Sequence, residues 1–164
     1  MAYDEGEEGD GGEGDDGNGG EGFEAPVGGG QGSASVPGVC CVAYRRNPLF
    51  FLVVQNQRTG KWSCPSTRLL PGEEPAKAVK RELLGETGIT DYKAKDTGVH
   101  LNFVYSGTGE LGHQRVFLVE VPANTQVYNG PGITGVQWIQ REEFYQFIEY
   151  EELRRLLENL AFSF

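Results

Sequence analysis

Leu69-Leu70-Pro71-Gly72-Glu73-Glu74-Pro75-Ala76-Lys77-Ala78-Val79-Lys80-Arg81-Glu82-Leu83-Leu84-Gly85-Glu86-Thr87-Gly88-Ile89 reads as a glycine-containing loop that runs into an amphipathic helix and ends in glycine. Pro75 suits the first helical turn, where its missing N–H is no loss, and Gly88 suits the position just past the last turn. Ala76, Val79 and Leu83 follow i, i+3, i+7 spacing and predict a stripe facing a core, while Glu82 and Glu86, four apart, share a neighbouring face. Like charges at that spacing cost a helix roughly 0.2–0.5 kcal/mol. Two readings follow: the pair is a solvated acidic face, or it holds a cation. A hard divalent ion such as magnesium, which is held by one or two carboxylates together with substrate phosphates, suits all-oxygen ligands.

The wider pattern of this segment resembles the Nudix box: a glycine, five residues, Glu, seven residues, Arg-Glu, an aliphatic, one residue, Glu-Glu, one residue, Gly and an aliphatic. Glu73 falls at the first Glu, Arg81-Glu82-Leu83 at the Arg-Glu-aliphatic run, Glu86 at the second of the paired glutamates, and Gly88-Ile89 at the end. Two positions depart, with Thr67 at the opening glycine and Gly85 at the first of the paired glutamates. Upstream, Trp62-Ser63-Cys64-Pro65 and Leu70-Pro71-Gly72-Glu73 look like the Trp-x-x-Pro lead-in of the diadenosine-tetraphosphate hydrolase branch. That branch continues Pro-Lys-Gly-His, where this chain has Pro65-Ser66-Thr67-Arg68, and its Glu-His pair before the late tryptophan is missing ahead of Trp138.

The resemblance implies an α/β fold, an α/β/α sandwich with a mixed sheet between helices, over residues 36–164. It also implies that Glu82 and Glu86 bind Mg2+ or Mn2+, that Glu73 pairs with Arg81 to brace the loop, and that Arg68 replaces a lost phosphate-facing charge. The implied activity is cleavage of a pyrophosphate linkage in a nucleoside-diphosphate-linked substrate, a dinucleoside polyphosphate or an RNA end, by a hydrolase weakened at Gly85. The alternative is a non-catalytic Nudix-like module that binds nucleotide, RNA or protein in an RNA-processing assembly.

Residues 1–35 contain ten acidic residues, thirteen glycines and no Lys or Arg. That composition predicts a disordered tail, with no presequence pattern. Its ten acids account for the whole net charge of −10, so the remainder is formally neutral and bulk electrostatic binding of nucleic acid is not expected. Such a tail either merely solubilises the chain, or competes with nucleic acid for a basic site or engages a basic protein partner. No run of eighteen apolar residues is present, so no membrane span is expected. Cys40, Cys41 and Cys64 have no metal-ligand spacing and read as reduced core residues, the adjacent pair facing opposite sides of a strand. A reducing compartment, cytoplasmic or nuclear, follows.

Strands are expected at Val39–Tyr44 and Phe50–Gln55 as a hairpin, at Thr97–Tyr105 and Gln114–Val121 as a second, and at Val136–Ile139. A helix over Glu142–Ala161, broken near Tyr150, closes the domain. Phe50-Phe51-Leu52-Val53-Val54 is apolar on both sides, as a strand between two helical layers must be. Further candidates are Glu120, either a cation ligand or a solvent-facing carboxylate, and Tyr44, Tyr105 and Tyr128 as stacking platforms for a base. Neither His100 nor His113 has a nucleophile motif around it, and of the two His113, beside the Gly107–Gly112 loop, is the substrate-binding candidate.

Overall fold

The computed structural model describes residues 9–10, 12–13, 35–104 and 108–161. The expectations for the acidic tail and for Tyr105 therefore fall, almost entirely for the tail, outside the described residues. Along the chain the elements are β1 (Val36–Arg45), β2 (Phe50–Asn56), β3 (Trp62–Ser63), β4 (Ser66–Arg68), α1 (Pro75–Thr87), β5 (Lys93–Val104), β6 (Leu111–Glu120) and β7 (Ile133–Ile139). A 3-10 turn at Arg141–Glu143, α2 (Phe144–Phe147) and α3 (Glu151–Ala161) follow. Gly9–Asp10 and Gly12–Glu13 pair with one another, apart from the main sheet.

The seven strands form one mixed sheet in the order β3-β2-β1-β6-β5, with β4 added to β1 and β7 to β2. β1 and β6 run parallel from Val36↔Gly112 to Tyr44↔Glu120, and the other pairings are antiparallel. The first hairpin is real but short. Only Tyr44↔Phe51 and Arg45↔Phe50 pair across it, because β4 takes the Gly38–Cys40 portion of β1.

β1 buries Val39, Cys41 and Ala43 on one face and Cys40, Val42 and Tyr44 on the other. α1 covers the first face with Ala78, Val79 and Leu83, beside Leu52, Phe117 and Val119. Phe144, Ile148, Leu153 and Leu157 cover the second, beside Phe51, Val53, Phe103 and Val116. β2 is accordingly buried on both sides, and the architecture is the expected helix–sheet–helix sandwich. No described helix is long and apolar enough to cross a membrane.

Two local expectations are corrected. Ala76 is exposed and Ala78 takes its place in the stripe, because the helix presents 78, 79, 82, 83 and 87 to the sheet. β5 begins at Lys93 rather than Thr97. Its first eight residues are mostly exposed and polar, and Gly98 (φ +75) sits in a register shift between Asp96 and His100, so no apolar alternation marks that half. The break expected near Tyr150 is present: α2 ends at Phe147, Ile148 is extended, and α3 starts again at Glu151. At the break the Tyr150 hydroxyl contacts the Asn102 carbonyl and Glu152 Oε1, tying the helical layer to β5.

Candidate active site

α1 turns Glu82 and Glu86 toward the sheet beneath it. Glu82 is only 5% exposed and sits beside Cys41 of β1, and its carboxyl is hydrogen-bonded to that of Glu86. Glu82 Oε2 is buried with no hydrogen-bond partner among the described residues. Burial first, then the charge of Glu86 and the hydrogen bond to it, push the Glu82 carboxyl well above the ordinary carboxylate range. Burial, followed by the charges of Glu82, Cys40 and Glu86, also raises the Cys41 thiol, which stays protonated.

A buried carboxylate oxygen with no donor is costly, by several kcal/mol per ion when uncompensated. A divalent cation would satisfy it, and the donor set, two carboxylates with oxygens only, fits a hard ion that fills its remaining positions with water and phosphate. Among the described residues no group of three or more His, Cys, Asp or Glu is arranged to hold a metal ion, so the protein's share of the ligands is the carboxylate pair.

The loop before α1 is held by one arginine. Arg81 donates through Nε to Glu73 Oε2 (3.0 Å) and through Nη2 to Glu73 Oε1 (2.8 Å) and the Arg68 carbonyl (2.8 Å). Its Nη1 reaches the Thr67 hydroxyl at 3.4 Å, so the residue at the pattern's opening position is built into the brace. Glu73 Oε1 also accepts the Leu70 N–H (2.9 Å). Burial raises the Glu73 carboxyl, but the Arg81 hydrogen bonds, the Leu70 N–H and the Arg81 charge outweigh it and hold Glu73 below the usual range.

At the other end of α1, Gly88 (φ +76) closes the helix with its N–H on Leu84 O, and Ile89 N–H reaches Leu83 O. The carbonyls of Glu86 and Thr87 are capped from a distant loop: Gly130 N–H donates to Glu86 O (2.8 Å) and Tyr128 N–H to Thr87 O (3.0 Å). Gly130 is required, because a Cβ there would lie 2.0 Å from Gly85 O and 2.8 Å from Glu86 Cα. A Cβ on Gly85 itself would meet nothing within 4 Å. The Tyr128 ring lies over Gly88 and is 61% exposed, an open aromatic face next to the turn that carries Glu86. Tyr128 was legible as an aromatic candidate; the docking of its loop was not, although the Gly130-Pro131-Gly132 run signals a close backbone approach.

Other candidates lie elsewhere. Glu120 does not join the carboxylate pair: it ends β6 opposite Tyr44, where Arg46 Nε (3.2 Å) and the Tyr44 hydroxyl (3.4 Å) donate to it. It lines a separate cavity of about 240 Å³ with Asp91, Tyr92, Lys93, Val121 and Pro122. Tyr44 is buried against Phe51 with Arg46 over its ring, leaving no face for a base. Arg68 is half-buried and its charge is answered by Glu110 at 3.1 Å. His113 stands opposite Pro37, whereas Phe117 stands opposite Cys41. Four residues of strand, roughly 13 Å, therefore separate His113 from the carboxylates.

A mixed sheet between helices, with a braced loop leading into a helix that presents two glutamates, is the α/β/α arrangement that the box pattern suggested. The NUDIX domain family model matches residues 34–160, and the chain belongs to this family. Among solved structures, the Ap4A hydrolase of C. elegans in a binary complex is similar at 23% identity, over 78% of this chain and 97% of that one, with a TM-score of 0.68. The dihydroneopterin triphosphate pyrophosphohydrolase of E. coli matches at 14% identity, over 80% of this chain and 100% of that one, with a TM-score of 0.69. The NUDIX domain of Shewanella oneidensis NrtR, complexed with ADP ribose, matches at 13%, over 80% and 90%, with a TM-score of 0.67. At these identities the likeness is one of fold. No curated protein sequence matches the chain.

Proposed function

We propose that the chain is a weakened, divalent-metal-dependent hydrolase that cleaves a pyrophosphate linkage in a nucleoside-diphosphate-linked substrate, such as a dinucleoside polyphosphate or an RNA end. The observation that carries this reading is the buried Glu82 carboxyl, with one oxygen unsatisfied and Glu86 hydrogen-bonded beside it. A domain kept only as scaffold gains nothing from that arrangement. The similar structures are named for Ap4A, dihydroneopterin triphosphate and ADP ribose, ligands that share a phosphoanhydride.

Glu82 and Glu86 would hold Mg2+ or Mn2+, which when bound neutralises charge on phosphate oxygens and acidifies a coordinated water. The Glu73–Arg81 brace fixes the loop from Arg68 to Glu73 against the helix, so the carboxylates face a surface of constant shape. Tyr128 offers its exposed ring to a base, a contact worth roughly 1–3 kcal/mol. Proton removal from the attacking water falls to Glu82 or Glu86, since Gly85 carries no carboxylate. That loss is why the activity is expected to be weak.

A second reading, a binding module for nucleotide or RNA without turnover, draws support from the same Gly85 and from the position of Glu120 away from the pair. Magnesium-dependent hydrolysis on a panel of dinucleoside polyphosphates, nucleotide sugars and triphosphate-ended or capped RNA separates the two. Product release lost in Glu82→Gln supports the hydrolase, and binding of a panel member without products supports the module.

A further inference from the structure

The cavity at the end of the sheet lies apart from the carboxylate pair. Its wall is the end of β6 and the two residues after it, Glu120 to Pro122, and its rim is Asp91, Tyr92 and Lys93, where the link from α1 enters β5. Lys93 stands opposite Glu120 on one side, and Tyr44 of β1 stands opposite Glu120 on the other. Cys41, which sits beside Glu82, is three residues back along β1, so roughly 10 Å of strand separates Glu120 from the carboxylates.

The wall is tied down. Val121 is buried and its N–H donates to Tyr44 O (2.9 Å), Thr125 N–H closes the following turn on Pro122 O (3.0 Å), and Arg45 Nη1 donates to Ala123 O (3.1 Å). Glu120 is engaged at both oxygens, by the Tyr44 hydroxyl on Oε1 and by Arg46 Nε on Oε2. The rim is the opposite case. Among the described residues, none gives the Asp91 carboxylate, the Tyr92 hydroxyl or the Lys93 ammonium a hydrogen bond or an ion pair, and Asp91 and Lys93 do not pair with each other. The Tyr92 ring is nevertheless fixed, half-buried against the apolar layer under α1.

Since Arg46 answers Glu120, the cavity leaves to a ligand one carboxylate, one ammonium and one phenol, beside the apolar surface of Val121, Pro122 and the Tyr92 ring. A polyphosphate entering it would meet two carboxylates and one ammonium, whereas a molecule with one charge of each sign meets its complement at both. Residues two apart in a chain have Cα atoms at most about 7 Å apart, so Asp91 and Lys93 can engage the ammonium and the carboxylate of a single small zwitterion. Its volume of about 240 Å³ lies below the roughly 300–1,000 Å³ of pockets that enclose drug-sized ligands, which suits a molecule of that size and not a dinucleotide. We propose that this cavity binds a free α-amino acid with an apolar side chain, its ammonium on Asp91, its carboxylate on Lys93 and its side chain against Val121, Pro122 and Tyr92. Asp91 and Lys93 are exposed, so the ligand enters without any opening of the fold, and water screens both charge pairs.

The test uses the full chain, labelled with nitrogen-15, and probes that differ by one charge. Titration with leucine, valine, methionine and phenylalanine should shift the amide signals of Asp91, Tyr92, Lys93, Glu120 and Val121 in the wild type and equally in a Glu82→Gln/Glu86→Gln variant. Two analogues, 4-methylpentanoate and 3-methylbutylamine, keep the leucine side chain with only one of its charges, and each should bind at least about fivefold more weakly than leucine. Asp91→Asn and Lys93→Met should each weaken leucine by a similar factor. No shift at these amides with any of the four amino acids, analogues that bind as well as leucine, or leucine affinity unchanged by both substitutions would overturn the proposal. Because the analogue series is read on the unaltered protein, a folding defect in a variant cannot hide the answer.

Discussion

Replacing Gly130 with Ala should damage the protein far more than replacing Gly85, although Gly85 is the residue that departs from the family pattern. At Gly130 the new Cβ would lie 2.0 Å from Gly85 O, 2.8 Å from Glu86 Cα and 2.9 Å from Glu86 O. All three are backbone atoms of α1, so no side chain can swing away and the loop itself must lift. Lifting it breaks Gly130 N–H to Glu86 O and Tyr128 N–H to Thr87 O, at about 1 kcal/mol net each, and uncovers the Tyr128–Gly88 contact. A loss of roughly 2–3 kcal/mol is expected, or about 6–10 °C in melting temperature for a domain of this size. Gly85→Ala should move the other way. Its Cβ enters open space on a helical backbone, and the substitution should stabilise by about 0.5–1 kcal/mol, chiefly through the unfolded chain. Urea denaturation of the two variants beside the wild type reads both signs. Gly130→Ala within about 0.5 kcal/mol of the wild type, or a destabilised Gly85→Ala, would refute the loop–helix packing described above.

The brace should be visible in pH dependence. Glu73 has a folded-state pKa below its unfolded value, so its contribution is full above the unfolded value near pH 4.5 and is lost as pH falls through the folded one. Glu73→Gln should therefore flatten the acid limb of a stability–pH curve, and an unchanged limb would remove Glu73 from the account. Mg2+ should raise the melting temperature of the wild type by mass action and leave Glu82→Gln/Glu86→Gln unmoved; equal shifts in both would point to a general salt effect. Removing residues 1–35 should leave the melting temperature essentially unchanged, because that composition has little apolar surface to bury. A drop of several degrees would show that the segment docks.

The sandwich was legible because its signals are local. Pro75 and Gly88 mark the ends of α1 to the residue, and the two-sided apolar run from Phe51 to Val54 marks a strand with helices on both faces. The Glu82/Glu86 pair was visible from helical spacing alone. The rest depended on which strands become neighbours, which periodicity does not specify. Glu120 reads in sequence as an acid in an apolar run; only the β1–β6 register shows that Arg46 and Tyr44 face it. Gly130 docks on α1 across more than forty residues of chain, and the meeting of Lys93 with Glu120 requires the β5–β6 register. The short strand β4 was hidden for a related reason, since three residues of Ser-Thr-Arg carry no apolar alternation.

The central claim, a hydrolase impaired at one position, is tested most directly by restoring the missing carboxylate. Position 85 has open space for a side chain, so Gly85→Glu should fold and place a third carboxylate on α1, three residues after Glu82 and beside Glu86. Magnesium-dependent product release across the nucleotide and RNA-end panel is then compared for wild type, Gly85→Ala and Gly85→Glu. The account predicts that turnover rises with Glu and not with Ala, which separates chemistry from stability. A Gly85→Glu protein that folds and binds magnesium and nucleotide, yet releases no product from any substrate, would contradict it.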